Sequence, residues 1–221
     1  MGVFIFNSSI GRKLVMSVTG IALVLFLTFH SIMNVVLIIN ADGYDAICKL
    51  LGANWYVVVA TIGLATLVVI HMLYAFWLSW QNYIARGKDR YAVSKTSPGV
   101  DWASQNMLVL GAIILGFLGL HLFNFWYRMQ FAELTGGVSP EGSEIVSTLF
   151  KNPIYSAVYI VWLAALWFHL THGVWSAIQT LGGSNHIWLP RIKMISNVVA
   201  TVIILVFMAV PVYFLITKLL V

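Results

Sequence analysis

The chain has 221 residues, of which 61% are hydrophobic and 9% charged, whereas a soluble domain is about half apolar and a quarter charged. Twelve Lys and Arg with seven Asp and Glu cannot cover a soluble surface, and so much apolar area cannot stay solvated in a disordered chain. What remains is an integral membrane protein in a lipid bilayer.

The net charge of +5 is spread in short groups. None resembles a nucleic-acid patch, so no nucleic-acid partner is expected, and the groups read as topology signals. A single cysteine, Cys48, excludes a disulfide framework and a cluster held by four thiolates within this chain. The C-x-x-C-H motif of attached haem is absent.

In chain order, apolar stretches run at about 14–39, 55–84, 103–129, 153–181 and 191–220. Each exceeds the ~20 residues that cross a bilayer as a helix, and none alternates as a lipid-facing strand would. The first follows Arg12 and Lys13 as a signal sequence would, but it is too long and lacks a small-residue cleavage site. It reads as a retained span.

With the N-terminus cytoplasmic, the inner side carries Arg12, Lys13, Arg86, Lys88, Arg90, Lys95, Arg191 and Lys193. The outer side then carries Lys49, Arg128, Lys151 and Lys218. That excess supports an inside N-terminus. The segment near 130–152 contains TGGVSPEGSE and reads as turn-rich surface. The expectation is one all-α membrane domain over 1–221, a bundle of five transmembrane helices.

Ionisable side chains inside spans are costly and mark function. Here they are histidines: His30 in the first span, His71 in the second, His121 in the third, and His169 with His172 in the fourth. His186 falls in a loop. At 1.5 Å per residue, His30 and His121 each lie ~24 Å from the cytoplasmic start of their spans, while His71 and His169 lie ~20 Å and ~15–18 Å from that edge. Depth therefore pairs His30 with His121 and His71 with His169. Two histidines on facing helices at one depth can supply both axial ligands of a haem iron. Small residues beside them (Ala165 and Gly173, Ala75 and Gly63, Gly116 and Gly119) would let a flat macrocycle approach. The plainer alternative is hydrogen-bonded packing histidines with small residues serving helix contact. His172 is three residues from His169, so both cannot face one haem equally; it reads as a supporting residue.

Weaker polar signals surround these. Asn34 is one turn beyond His30, and Asn124 is three residues beyond His121. Arg128, two turns beyond His121, would share its face and could pair with a propionate, or snorkel as an interfacial cation. The Trp and Tyr residues fit aromatic belts, and Pro211 marks a kink.

The segment SIGRKLVMSVTGIALVLFLTFHSIMN (Ser9 to Asn34) resembles the first helix of the cytochrome b subunit of succinate dehydrogenase/fumarate reductase, of the di-haem type with one five-helix subunit. FHLTHGVWSAIQTLGG (Phe168 to Gly183) is similar to that family's fourth helix. Helix number and the four-span histidine pattern extend the likeness along the chain. The resemblance implies two haems b, with His30 and His121 holding the outer and His71 and His169 the inner. The fourth-span ligand is the histidine four residues before the glycine, here His169 before Gly173.

It further implies a bacterial cytoplasmic membrane, with a flavoprotein and an iron–sulfur protein docked on the cytoplasmic face. Electrons would pass between the iron–sulfur protein and a membrane quinone, commonly menaquinone among di-haem relatives. Asp42 and Asp45 lie near where some relatives carry an acid at an outer quinone site. A cytoplasmic-side pocket would lie near Ser17. Some relatives have a glutamate two residues before the fourth-span ligand, assigned to proton conduction; this chain has Trp167 there, which removes that carboxylate.

Two other functions fit parts of the pattern. A cytochrome b of another quinone-linked dehydrogenase keeps the haems and changes the partner, but the GRK and HLTHG segments argue against it. A transporter with a histidine-lined path needs no haem, but it lacks the intramembrane carboxylates that usually accompany such relays.

Overall fold

A computed structural model describes residues 8–52, 54–85, 101–183 and 185–220. The basic residues Arg86, Lys88, Arg90 and Lys95 lie outside the described residues. Among those described, the regular elements are all helices: α1 (Ser9–Ile39), α2 (Ala41–Leu51), α3 (Trp55–Ala85), α4 (Trp102–Gln105), α5 (Met107–His121), a π-helical segment (Leu122–Phe131), α6 (Ala132–Leu134), α7 (Gly142–Phe150), α8 (Pro153–Thr180) and α9 (Trp188–Leu219). Five helical stretches are long and apolar enough to cross a membrane: α1, α3, the run Met107–Leu134, α8 and α9.

Side-chain caps place several boundaries. Ser8 accepts from the Gly11 amide at 2.9 Å, so α1 begins at Ser9 and carries Arg12 and Lys13 inside it, rather than beginning near 14. Asn40 closes α1 and caps α2, accepting from the Gly43 amide at 2.9 Å. Asn152 caps α8 with Pro153 at the first helical position, where a missing amide proton costs nothing. Pro211 is buried within α9, which continues past it to Leu219.

The dense part of the bundle is the α8–α9 contact. Leu163, Leu166 and Leu170 of α8 meet Ala200, Ile203, Ile204 and Phe207 of α9, with Val24 and Leu27 of α1 packed against them. The outer surfaces remain apolar: Leu25 is 66% exposed and Ile62 61%, as suits helices whose solvent is hydrocarbon. The second span is peripheral, and Tyr74 is its buried residue. Neighbouring spans run antiparallel. Arg12 near the start of α1 lies 5.7 Å from the Trp77 ring near the end of α3, and Lys193 near the start of α9 sits 4.2 Å over Trp175 near the end of α8.

The 130–152 segment departs from its surface-loop expectation. Only its first half turns; α7 then buries Ile145, Val146, Leu149 and Phe150 against Leu37, Tyr159, Trp162 and Val210. Gly136, Gly137 and Pro140 before α7 mask an amphipathic stretch too short to signal a span. Asp45 ties α7 to α2: its carboxylate accepts from the Ser143 amide at 2.8 Å and the Ser143 hydroxyl at 2.5 Å. It thus caps from another helix the start of α7, where Glu141 makes no side-chain cap.

Two stability outcomes are expected. Ala200 is 0% exposed, so Ala200→Leu should overpack the α8–α9 contact at a cost of about 1–3 kcal/mol. Asp45→Ala should cost about 1 kcal/mol through the lost cap, with Asp45→Asn in between. Thermal denaturation in detergent checks both; unchanged midpoints would contradict them.

Candidate functional site

The antiparallel packing brings the span histidines into two pairs. His30 of α1 and His121 of α5 have ring centroids 6.0 Å apart with planes at 88°. His71 of α3 and His169 of α8 have centroids 6.4 Å apart with planes at 70°. All four rings are half-buried within the bundle.

The surroundings of the pairs differ. His30 stacks on Phe26 at 5.6 Å and meets Phe207 of α9 at 5.5 Å. His121 is enclosed by Phe125, Trp162 and Tyr159, at 5.0, 5.6 and 6.2 Å. Asn124 is buried and donates to the Tyr159 hydroxyl at 3.0 Å. At the other pair, the Thr19 hydroxyl of α1 lies 3.1 Å from His71 Nδ1. His172 points away from this pair, towards Asp101 at the start of α4; Nδ1 is 3.4 Å from Oδ1, without hydrogen-bond geometry.

The chemistry of the donor set fits haem. Imidazole nitrogens bind a first-row metal at about 2 Å, so two rings sharing one ion from opposite sides have centroids roughly 6 Å apart. A bare aromatic contact gives similar spacing. The buried Nδ1 atoms of His121 and His169 have no hydrogen-bond partner among the described residues, a cost in an apolar bundle. Two side-chain nitrogens are too few for a bare ion, and no cluster of three or more ligating side chains occurs among the described residues. The pairs suit a cofactor that brings its own equatorial ligands. At Gly63, Gly116, Gly119 and Gly173 an added Cβ would meet nothing within 4 Å among the described residues. These glycines therefore do not serve close helix contact.

The weaker sequence candidates separate. Asn34 is half-buried one turn from His30, and Ser17 is buried on α1. Arg128 is exposed, and its expected alignment with His121 does not hold. That alignment assumed α-helical turns. The backbone switches to π geometry at Leu122, whose wider i→i+5 turns change the face reached seven residues on. Asp42 is exposed in the first turn of α2, while Asp45 is engaged in the tie to Ser143. Beside it, burial next to Cys48 holds the Tyr44 phenol above its usual range, and burial pushes the Cys48 thiol up, so both stay protonated near neutral pH. Trp167 donates its indole N–H to Thr201 of α9 at 2.9 Å, an interhelical bond.

Sequence reasoning overlooked Thr19, Tyr159 and Trp162. Each has an ordinary packing composition, and its relation to a histidine arises across helices. The π segment carried no readable signal either, although it opens immediately after His121.

No family model, no curated protein and no solved structure matches this chain.

Proposed function

We propose that this chain is a di-haem cytochrome b, the membrane anchor of a succinate:quinone oxidoreductase or quinol:fumarate reductase, in a bacterial cytoplasmic membrane. The observation that carries the reading is the meeting of four span histidines as two pairs, 6.0 and 6.4 Å between ring centroids. The assignment to this enzyme class rests on the likeness of Ser9 to Asn34 and of Phe168 to Gly183. In this reading α1 starts at the cytoplasmic face, beside the flavoprotein and iron–sulfur partners, and the chain passes electrons between the latter and quinone.

His71 and His169 hold the inner haem, and His30 and His121 the outer. When bound, each haem supplies one-electron chemistry at its iron, at a potential set by axial ligands, burial and hydrogen bonding. The chain's residues do the rest. The imidazoles fix the groups between helices, and the apolar shell of Phe26, Phe125, Trp162 and Phe207 excludes water. Quinone exchange belongs to one of two regions: the outer half near His30 and His121, or the cytoplasmic side near Ser17. The engagement of Asp45 with Ser143 leaves Asp42 as the freer acid at the outer end.

The deciding measurement is a dithionite-reduced minus oxidised spectrum of the purified protein, with haem per chain from pyridine haemochrome. Two b-type haems are expected. A colourless chain from haem-replete cells would overturn the reading and favour the histidine-lined transporter. Co-purification of flavin and iron–sulfur subunits separates this enzyme class from other cytochromes b.

Single substitutions test the ligands. His169→Ala should lose one haem and His172→Ala neither, since His172 faces Asp101. The reverse pattern would overturn the assignment. His30→Ala should lose the outer haem and spare the one lost in His71→Ala, read as one surviving midpoint in a redox titration.

A further inference from the structure

Thr19 sits on α1 and is 5% exposed. Its Oγ1 lies 2.8 Å from the Val15 carbonyl, 3.1 Å from the Met16 carbonyl and 3.1 Å from His71 Nδ1. A hydroxyl has one proton, and a carbonyl can only accept. The Thr19 proton is therefore committed to its own helix, at the shorter contact with Val15. Towards His71 the oxygen has only lone pairs to offer.

We propose that Thr19 is a positioning residue for His71: it accepts the Nδ1 proton and so leaves Nε2 as the ring's metal-binding atom. A neutral imidazole has one N–H, so a proton held at Nδ1 makes Nε2 the lone-pair nitrogen. Gly20 completes the arrangement. A Cβ there would lie 3.3 Å from His71 Cε1, so glycine lets the ring rest against α1. The support is one-sided, because Nδ1 of the opposing His169 has no hydrogen-bond partner among the described residues.

The inference rests on the haem reading above and adds to it a residue that tunes one haem. A ligating imidazole that donates its other N–H becomes a more basic ligand, which favours ferric over ferrous iron and lowers the midpoint potential. Thr19→Val removes the hydroxyl at nearly constant shape, and Thr19→Ser keeps it.

The test is a redox titration with EPR of the purified, haem-loaded chain as wild type, Thr19→Val and Thr19→Ser. In Thr19→Val the midpoint of the haem that His71→Ala loses should shift upward and its ferric g-values should change, with the other haem unmoved. Thr19→Ser should behave as wild type. Loss of that haem in Thr19→Val but not in Thr19→Ser supports the same conclusion. Unchanged midpoints and g-values in Thr19→Val would overturn it, as would equal loss in both variants or a shift confined to the other haem. A wild-type chain without haem would overturn the haem reading and this inference together, a result distinct from a haem-loaded chain indifferent to Thr19.

Discussion

The bundle is organised around a cost: polar ring nitrogens placed among hydrocarbon. Water cannot satisfy them there, and an unpaired buried polar group costs about 1–3 kcal/mol. The chain gathers four of its five span histidines into two facing pairs, each between two helices. One pair brings together rings of α1 and α5 and the other rings of the peripheral α3 and of α8.

Elsewhere apolar contact holds the helices, and it is concentrated between α8 and α9. The polar links are few and local. Trp167 reaches Thr201 between those two helices, and Gln130 accepts from Thr61 and Trp126, joining α3 to the π segment. At the same end Asp45 secures α7 through Ser143. The Lys49–Glu141 ion pair nearby is exposed on both sides and adds little in water. This division leaves the His30–His121 region lined mainly by aromatic rings, a suitable environment for the proposed cofactor.

The two pairs are unlike in their support. His71 has a hydroxyl beside it on α1, whereas His121 is surrounded by aromatic rings and has no hydrogen-bond partner for Nδ1 among the described residues. Hydrogen bonding to an axial imidazole and burial are separate levers on a haem potential. Under the proposed function, two sites built from the same ligand type would thus differ in potential.

Much was legible in the sequence because the bilayer makes it so. Backbone groups must be satisfied internally, so long apolar runs have to be helices, and spans expected at 55–84 and 153–181 differ by one residue at one end from α3 and α8. The histidine pairing was also legible, since helical rise is constant and spans alternate in direction. What only the tertiary structure decided are features without a periodic signature. Asp45 is indistinguishable from Asp42 until α7 folds back and presents the Ser143 amide. Arg128 shares a face with His121 until the backbone turns to π geometry. Thr19 is one more small helical residue until α3 lays His71 against it. Sequence spacing encodes position along a helix, while a hydrogen bond between helices depends on their rotation and approach, which packing alone sets.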